Sequence, residues 1–360
     1  MLSPARILPL RAPAQADGPR GAGRAGRGAG RRAHGWWLAL LAAVLLATVV
    51  ASLMIGAGDV PVGRVLPGVF SPDDESRPEL IVHELRLPRT LLGIVVGMAL
   101  GLAGAVMQAL TRNPLAEPGL LGVNGGAALA VVIVIGTFQV DEPLVYVWAA
   151  FAGAAGAAAI VYVIGARGRG GASPARLVLA GAAVNAVFSA LTAGLMLLSP
   201  QSFNGFRFWQ VGSLGGREML VFIRILPFVV AGIVLALVLA RPLNALAMGD
   251  DAGRALGSNP GRTRAFGALA IVVLCGAATA SAGPIAFLGL AVPFIVRTLV
   301  GPDLRLVLPY SLLLAPVLLL GADVIGRVIT PGELETGIVT AFLGAPLFAV
   351  MVRRGRTRDL

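Results

Sequence analysis

Trp36-Trp-Leu-Ala-Leu-Leu-Ala-Ala-Val-Leu-Leu-Ala-Thr-Val-Val-Ala-Ser-Leu-Met-Ile-Gly56 is a run of 21 residues without a charge. A bilayer core takes about 20 apolar residues in a helix, so this run reads as a first membrane span. Nine further apolar runs follow, at about residues 90–110, 115–136, 144–165, 175–198, 219–240, 263–282, 284–300, 306–328 and 335–353. Lipid cannot satisfy an open sheet edge, so all ten are expected as helices. The 360-residue chain is 57% hydrophobic and 13% charged, with a mean hydropathy of +0.85. Soluble domains run at about 45–50% apolar and about 25% charged. There is too little polar surface here to cover a soluble core. The fold class is therefore an all-α polytopic membrane protein of about ten transmembrane helices.

What the chain lacks bounds its chemistry. It has no lysine, and all 29 of its basic residues are arginine. A Walker A loop needs a lysine on the phosphates, so this chain is not expected to hydrolyse ATP itself. One cysteine, Cys275, excludes an intrachain disulfide and any cysteine-based metal site. His34 and His83 both lie outside the apolar runs. No catalytic constellation, metal site or resident cofactor is expected. The net charge of +11 reads as positive cytoplasmic loops rather than as a nucleic-acid surface. Placing both termini in the cytoplasm puts 21 of the 29 arginines on that side, which is the usual bias. Residues 1–35 hold seven arginines and one acid, Asp17. They read as a disordered cytoplasmic tail with an attraction to anionic lipid. Residues 36–354 form the transmembrane domain, and 355–360 a second short tail.

Glycines at Gly93, Gly97, Gly101 and Gly104, and at Gly153 and Gly156, suit close helix packing in lipid. Pro118, Pro284 and Pro293 should interrupt or bend helices, which is tolerated where a break lines a cavity or is covered by protein. That favours a transporter over an anchor. The loop Met248-Gly-Asp-Asp-Ala-Gly-Arg-Ala-Leu-Gly-Ser-Asn-Pro-Gly-Arg-Thr-Arg264 carries two helix starts. Asp250 is expected to cap a short helix through Leu256, and Gly257 to end it in the left-handed conformation. Asn259, before Pro260, should cap a second short helix. An ordinary capped loop and a docking element for a soluble partner remain equal readings of those residues. Asp323 and Arg327 lie at an i,i+4 spacing within a span and read as one internal ion pair, with proton coupling by Asp323 as the second reading. Gln108, Asn113, Glu117 and Asn124 cluster at the turn between the second and third spans. Phe206 and Trp209, in Phe203-Asn-Gly-Phe-Arg-Phe-Trp-Gln-Val-Gly-Ser-Leu214, form an interfacial belt or line an entrance. These six are the candidates for a path or gate. A secondary transporter would need more buried ionisable groups than Asp323.

Four blocks resemble the FecCD-type permease subunits of ABC importers for ferric siderophores, haem and cobalamin. They are Leu85-Arg-Leu-Pro-Arg-Thr90, the stretch Gly104–Gly122 with Asn113-Pro-Leu-Ala-Glu-Pro-Gly119, the loop Gly249–Gly257, and Ser281–Pro293 continuing to Glu333–Pro346. The resemblance covers about residues 36–354. It implies a ten-helix bundle of the type II, cobalamin-permease-like kind. It also implies a second permease subunit, identical or paralogous, two ATP-binding subunits and an extracytoplasmic substrate-binding protein, with ATP used by the partner. By resemblance, Gly249, Asp250, Asp251, Arg254, Leu256 and Gly257 form the ATPase-coupling loop. Arg86, Arg89 and Arg327 match outer arginines that meet acidic residues of the binding protein. The wording around Phe206 and Trp209 is similar to the ferric-siderophore branch, with haem or cobalamin as the alternative cargo. The location implied is the bacterial inner membrane.

Overall fold

The computed structural model describes residues 25–56, 58, 60–73, 75–138, 143–166, 174–198, 200–330 and 333–355. The chain divides into two compact units, Met1–Leu40 and Leu41–Leu360. Helix α1, Ala25–Met54, begins in the first unit. There Trp36 and Trp37 are exposed, as tryptophans at a membrane boundary are. The helix starts inside the segment expected to be a tail. Extending a formed helix costs little compared with nucleating one, and alanine and arginine propagate helices well. The rest of that tail, residues 1–24, and residues 356–360 lie outside the described residues.

In the second unit α1 is followed by α2, Val62–Phe70, and α3, Arg77–Leu80. A π-helical turn, Ile81–Arg86, leads into α4, Leu87–Thr111. After a 3-10 turn at Pro118–Leu121 come α5, Val123–Ile133, which ends in a π-helical turn, and α6, Pro143–Ala166. Next are α7, Pro174–Leu198, α8, Pro200–Val211, α9, Met219–Val238, and α10, Ala240–Ala247. The short α11, Asp250–Ala255, precedes α12, Pro260–Ala282, α13, Leu288–Val300, α14, Leu304–Ile329, and α15, Thr336–Gly355. No strand occurs among the described residues.

Each expected span meets a helix. Among the described residues seven helices are long and apolar enough to cross a membrane, and Val123–Phe138, Leu288–Val300 and Thr336–Val350 are shorter apolar ones. The second span begins earlier than expected, as one helical stretch over Arg77–Thr111. Pro88 cannot donate to the carbonyl four residues back. The wider π-helical turn directly before it lets the helix continue through that gap. Pro118 opens the 3-10 turn and Pro284 lies in the break between α12 and α13, whereas Pro293 is carried inside α13.

Helix α4 lies at the centre, packed against α9, α12, α13 and α14. Its glycines explain how. A Cβ on Gly97 would sit 2.6 Å from the Pro316 backbone, and one on Gly104 only 1.7 Å from the Gly289 carbonyl oxygen. The backbones of α4, α14 and α13 thus approach where a side chain has no room, the packing that apolar solvent favours. Gly153 meets Gly126 in the same way, between α6 and α5. Gly156, expected to behave alike, faces open space.

Candidate functional site

The two ends of α4 carry two charged networks. Arg112 follows the helix as its left-handed C-cap, at φ 50°. Its Nε donates to the Leu246 carbonyl at 3.1 Å, and its Nη2 donates to Asp250 Oδ1 at 2.6 Å. Arg264, in the first turns of α12, reaches both oxygens of the same carboxylate at 2.8 and 2.9 Å. Asp250 therefore joins α11 to α4 and to α12. Burial works to raise its pKa, but the hydrogen bonds and charges of Arg264 and Arg112 outweigh that, so the carboxyl lies below the ordinary aspartate range.

The arginines also change how α11 begins. Asp250 is not the cap expected from the sequence. Gly249, at φ 114°, is the N-cap, and no side chain caps the helix. The Asp250 carboxylate is occupied elsewhere, and only glycine adopts that backbone freely. Gly257, at φ 78°, follows the helix as expected. Asn259 is a cap, accepting from the Arg262 N–H at 3.1 Å. The helix it starts is α12 itself, not a second short one. The residues flanking α11, Met248 at 69% and Leu256 at 64% exposure, face outward, and α11 itself carries the Asp251–Arg254 ion pair at 2.9 Å.

At the other end of α4, about 35 Å away at 1.5 Å per residue, Arg89 holds Asp323 of α14. Its Nη2 lies 2.9 Å from Oδ1, and its Nε contacts both oxygens. Its Nη1 pairs with Glu333 at 2.7 Å. Asp323 also pairs with Arg327 and accepts from the Thr336 hydroxyl at 2.6 Å. Arg327 donates to the Ser52 and Ile55 carbonyls, both at 2.8 Å. Arg86 donates to the carbonyls of Leu53, Met54, Gly56 and Gly58 at 2.9 to 3.0 Å. The last carbonyls of a helix have no partner within it and carry partial negative charge. Two guanidinium groups from other helices thus cap the end of α1. A cleft of about 360 Å³ opens over the cluster, and Ser213, Gly216 and Glu335 complete its wall.

Arg86, Arg89 and Arg327, the residues expected to meet a binding protein, take part in contacts within the chain. Arg86 and Arg327 are buried, and the Arg89 side chain is 12% exposed. The Nη groups of Arg86 and Arg327 donate to carbonyls at the end of α1, and Arg89 is paired with Asp323 and Glu333. The ion pair between Asp323 and Arg327 is present as expected. The sequence reading missed Glu333, Thr336 and Ser52 as its companions, together with Arg112 and Arg264 as partners of Asp250. Glu333 carried a signal, since it is one of only 18 acids in the chain and lies close to the end of α14.

The six path candidates do not converge on one site. Gln108 is buried and donates to the Leu290 carbonyl at 3.1 Å. Asn113 is exposed and closes its own turn, accepting from the Leu115 N–H at 2.9 Å. Glu117 accepts from the Phe287 N–H at 3.2 Å, satisfying a donor at the start of α13. Asn124 accepts from the Thr279 hydroxyl at 3.1 Å. Phe206 and Trp209 are buried and stacked on each other, their ring centroids 5.7 Å apart. Phe206 also lines a cavity of about 430 Å³ with Phe203, Thr192 and Met196. Gln108 and Glu117 together hold the start of α13 against α4 and the turn that follows it.

Comparison with known proteins adds the context. Residues 44–354 match the model of the FecCD transport family. The ferric enterobactin transport system permease protein FepD of Escherichia coli (strain K12) is 50% identical over 316 residues, which cover 88% of this chain and 94% of that protein. The Fe(3+)-citrate import system permease protein YfmD of Bacillus subtilis (strain 168) is 44% identical over 306 residues, covering 85% of this chain and 90% of its own. Among solved structures, an inward-facing metal-chelate type ABC transporter superposes with a TM-score of 0.78 at 27% identity, over 88% of this chain and 98% of that one.

Proposed function

The chain belongs to the FecCD transport family, and from that premise we propose that it is the membrane-spanning permease subunit of an ATP-driven importer that carries ferric siderophores. The observation that carries the cargo is the 50% identity to the ferric enterobactin permease over nearly the whole of both chains. It is a multi-pass protein of the bacterial inner membrane, in a family of permeases that work with an ATPase, a binding protein and a second permease. We infer two ATP-binding subunits, a permease partner that is identical or paralogous, and both termini in the cytoplasm. No cofactor is assigned to this chain, and ATP is used by the partner. The absence of lysine supports that division of labour.

The loop Gly249–Gly257 is the part that engages the ATPase. Met248 and Leu256 supply exposed apolar anchors, while Asp251 and Arg254 supply a charged rim. Apolar centres with polar rims are how docking patches divide affinity from register. Movement imposed on α11 passes through Asp250 to Arg112 and Arg264, hence to α4 and α12. Helix α4 leads to the Arg89–Asp323 cluster at the far end. A ligand-driven change of this type needs an element with two arrangements that both ends bias. The ties at the two ends of α4 give each end a means of biasing that helix.

The test is uptake of iron-labelled siderophores in a strain lacking the gene. Uptake of one siderophore should be lost, restored by the gene, and lost again when the partner ATPase is inactivated. Loss of haem or cobalamin uptake instead would overturn the cargo and keep the transporter class.

A further inference from the structure

The segment between α1 and α3 holds a helix that neither the spans nor the charged networks account for. Helix α2, Val62–Phe70, has two unlike faces. On one, Gly68 is buried so closely that a Cβ there would meet the Val82 side chain at 2.9 Å and the Glu79 carbonyl at 3.0 Å. The Gly68 carbonyl also lies 3.2 Å from His83 Nδ1. On the other, Val62, Leu66 and Phe70 repeat every four residues and stand open at 69%, 69% and 80% exposure. A repeat of four keeps side chains on one side of a helix. The stripe carries no charge. Arg64, beside it, is held by the buried Glu79 at 2.8 Å, and Glu79 Oε2 accepts from the Asp73 N–H at 2.9 Å.

The level of α2 in the bilayer is fixed by its neighbours. Arg86 bonds the carbonyls of Leu53 and Met54 at 2.9 Å, so the segment leaves one span and enters the next at the same height. A helix of nine residues is about 13 Å long, too short to cross. It stays near the end of the bundle, where Pro61, just before α2, lines one cleft with Met54 and Ile55 from the end of the preceding span. We propose that α2 is a membrane-surface helix whose Val62–Leu66–Phe70 stripe inserts among the acyl chains of the leaflet at the Arg89 end. The occupant is lipid rather than a docking protein. The helix follows directly on a span whose last apolar residues, Met54 and Ile55, are themselves exposed, and the stripe offers no charge or hydrogen bond by which a soluble partner would be recognised. Amphipathic helices at membrane interfaces bury their apolar face in this manner. Through the Arg64–Glu79 pair the inserted helix also fixes the depth of the first turn of the Arg77–Thr111 span.

The experiment places single spin labels at positions 62, 66, 70 and 75 of the assembled transporter in lipid nanodiscs. Collision with oxygen, which concentrates in lipid, is compared with collision with a water-soluble nickel chelate. Labels at 62, 66 and 70 should collide with oxygen and lose collision with the chelate, and the label at 75, on the exposed turn after α2, should do the reverse. These positions are exposed, so labelling does not disturb packing. Free chelate access at 66 and 70 overturns the proposal. So does protection at 66 and 70 that arises only when the binding protein is added, which would assign the stripe to that partner. A Leu66→Gln variant, which keeps the helix and polarises the stripe, should restore chelate access at 70. Unchanged protection there would also count against lipid insertion.

Discussion

Asp323 is the residue on which the Arg89 end depends. It is fully buried, and Arg89, Arg327 and Thr336 all donate to it. Removing one partner from a buried ion pair costs about 3–5 kcal/mol, because the charge left behind is unpaired. Asp323→Asn is therefore expected to lower the thermal stability of the purified permease and the amount recovered from membranes. Transport per folded molecule should change much less. A proton-coupling role would give the opposite pattern, with normal recovery and abolished transport. Asp250 offers a different readout, through pH. Its carboxyl lies below the ordinary range in the folded chain. The contribution of its ties to Arg112 and Arg264 is thus complete above the unfolded value of about 3.9 and is lost only as pH falls through the lower folded value. The ratio of uptake to ATP hydrolysis should be flat between about pH 5 and 8 on this account. Asp250→Asn should depress that ratio throughout the range. A wild-type ratio that fell between those limits would place the sensitive group elsewhere.

At the scale of elements, α4 is held by how closely its backbone approaches its neighbours. Gly104→Ala puts a methyl against the Gly289 carbonyl, and overpacking of that kind costs about 1–3 kcal/mol. A drop in melting temperature and a loosened α4–α13 contact, read by cysteine crosslinking, are expected. Gly156→Ala is the control, because nothing stands near it. It should be neutral or gain about 0.5–1 kcal/mol from the stiffer backbone. For α11 the expectation concerns its partner. Met248→Ser with Leu256→Ser should reduce co-purification of the ATPase subunit and leave the permease as stable as before, since both side chains are exposed. Retained co-purification would move the docking surface off this loop. The spans were legible because little besides a bilayer calls for an unbroken apolar run of about 20 residues. Of the short elements, α11 was legible only in part and α2 not at all. A surface helix of about two turns leaves no run long enough to register, and the start of α11 depended on arginines far away in sequence.

For the whole molecule, the same contrast explains which contacts could be foreseen. The Asp323–Arg327 pair was visible because one helical turn separates its members. The Arg89–Asp323 pair joins residues 234 positions apart, and no local pattern marks it. Arg86 and Arg89 accordingly resembled exposed interfacial arginines until the fold closed around them. The family blocks were legible as ordered text, and they fixed the class of transporter. The wiring between the blocks was not, because it is a property of three dimensions. The most demanding prediction belongs to this scale. Arg89→Gln, far from the ATPase loop, should change the ratio of uptake to ATP hydrolysis if α4 carries motion between its ends. A change in stability alone, with an unaltered ratio, would limit the Arg89 cluster to holding the helices together.

The distance in sequence between Arg89 and Asp323 also has a consequence during synthesis. Chains are made at about 5–20 residues per second, so roughly 12 to 47 seconds pass between the two residues leaving the ribosome. Arg86 is available to the carbonyls of α1 almost at once. Arg327, which completes that cap through Ser52 and Ile55, arrives with the ninth span. For most of translation the inserted chain therefore holds a guanidinium without its counterion at the edge of the bilayer. The arrival of one carboxylate late in the chain then closes three helices in a single step. A nascent permease that stops short of that residue carries Arg89 without Asp323, the partner it holds in the finished chain.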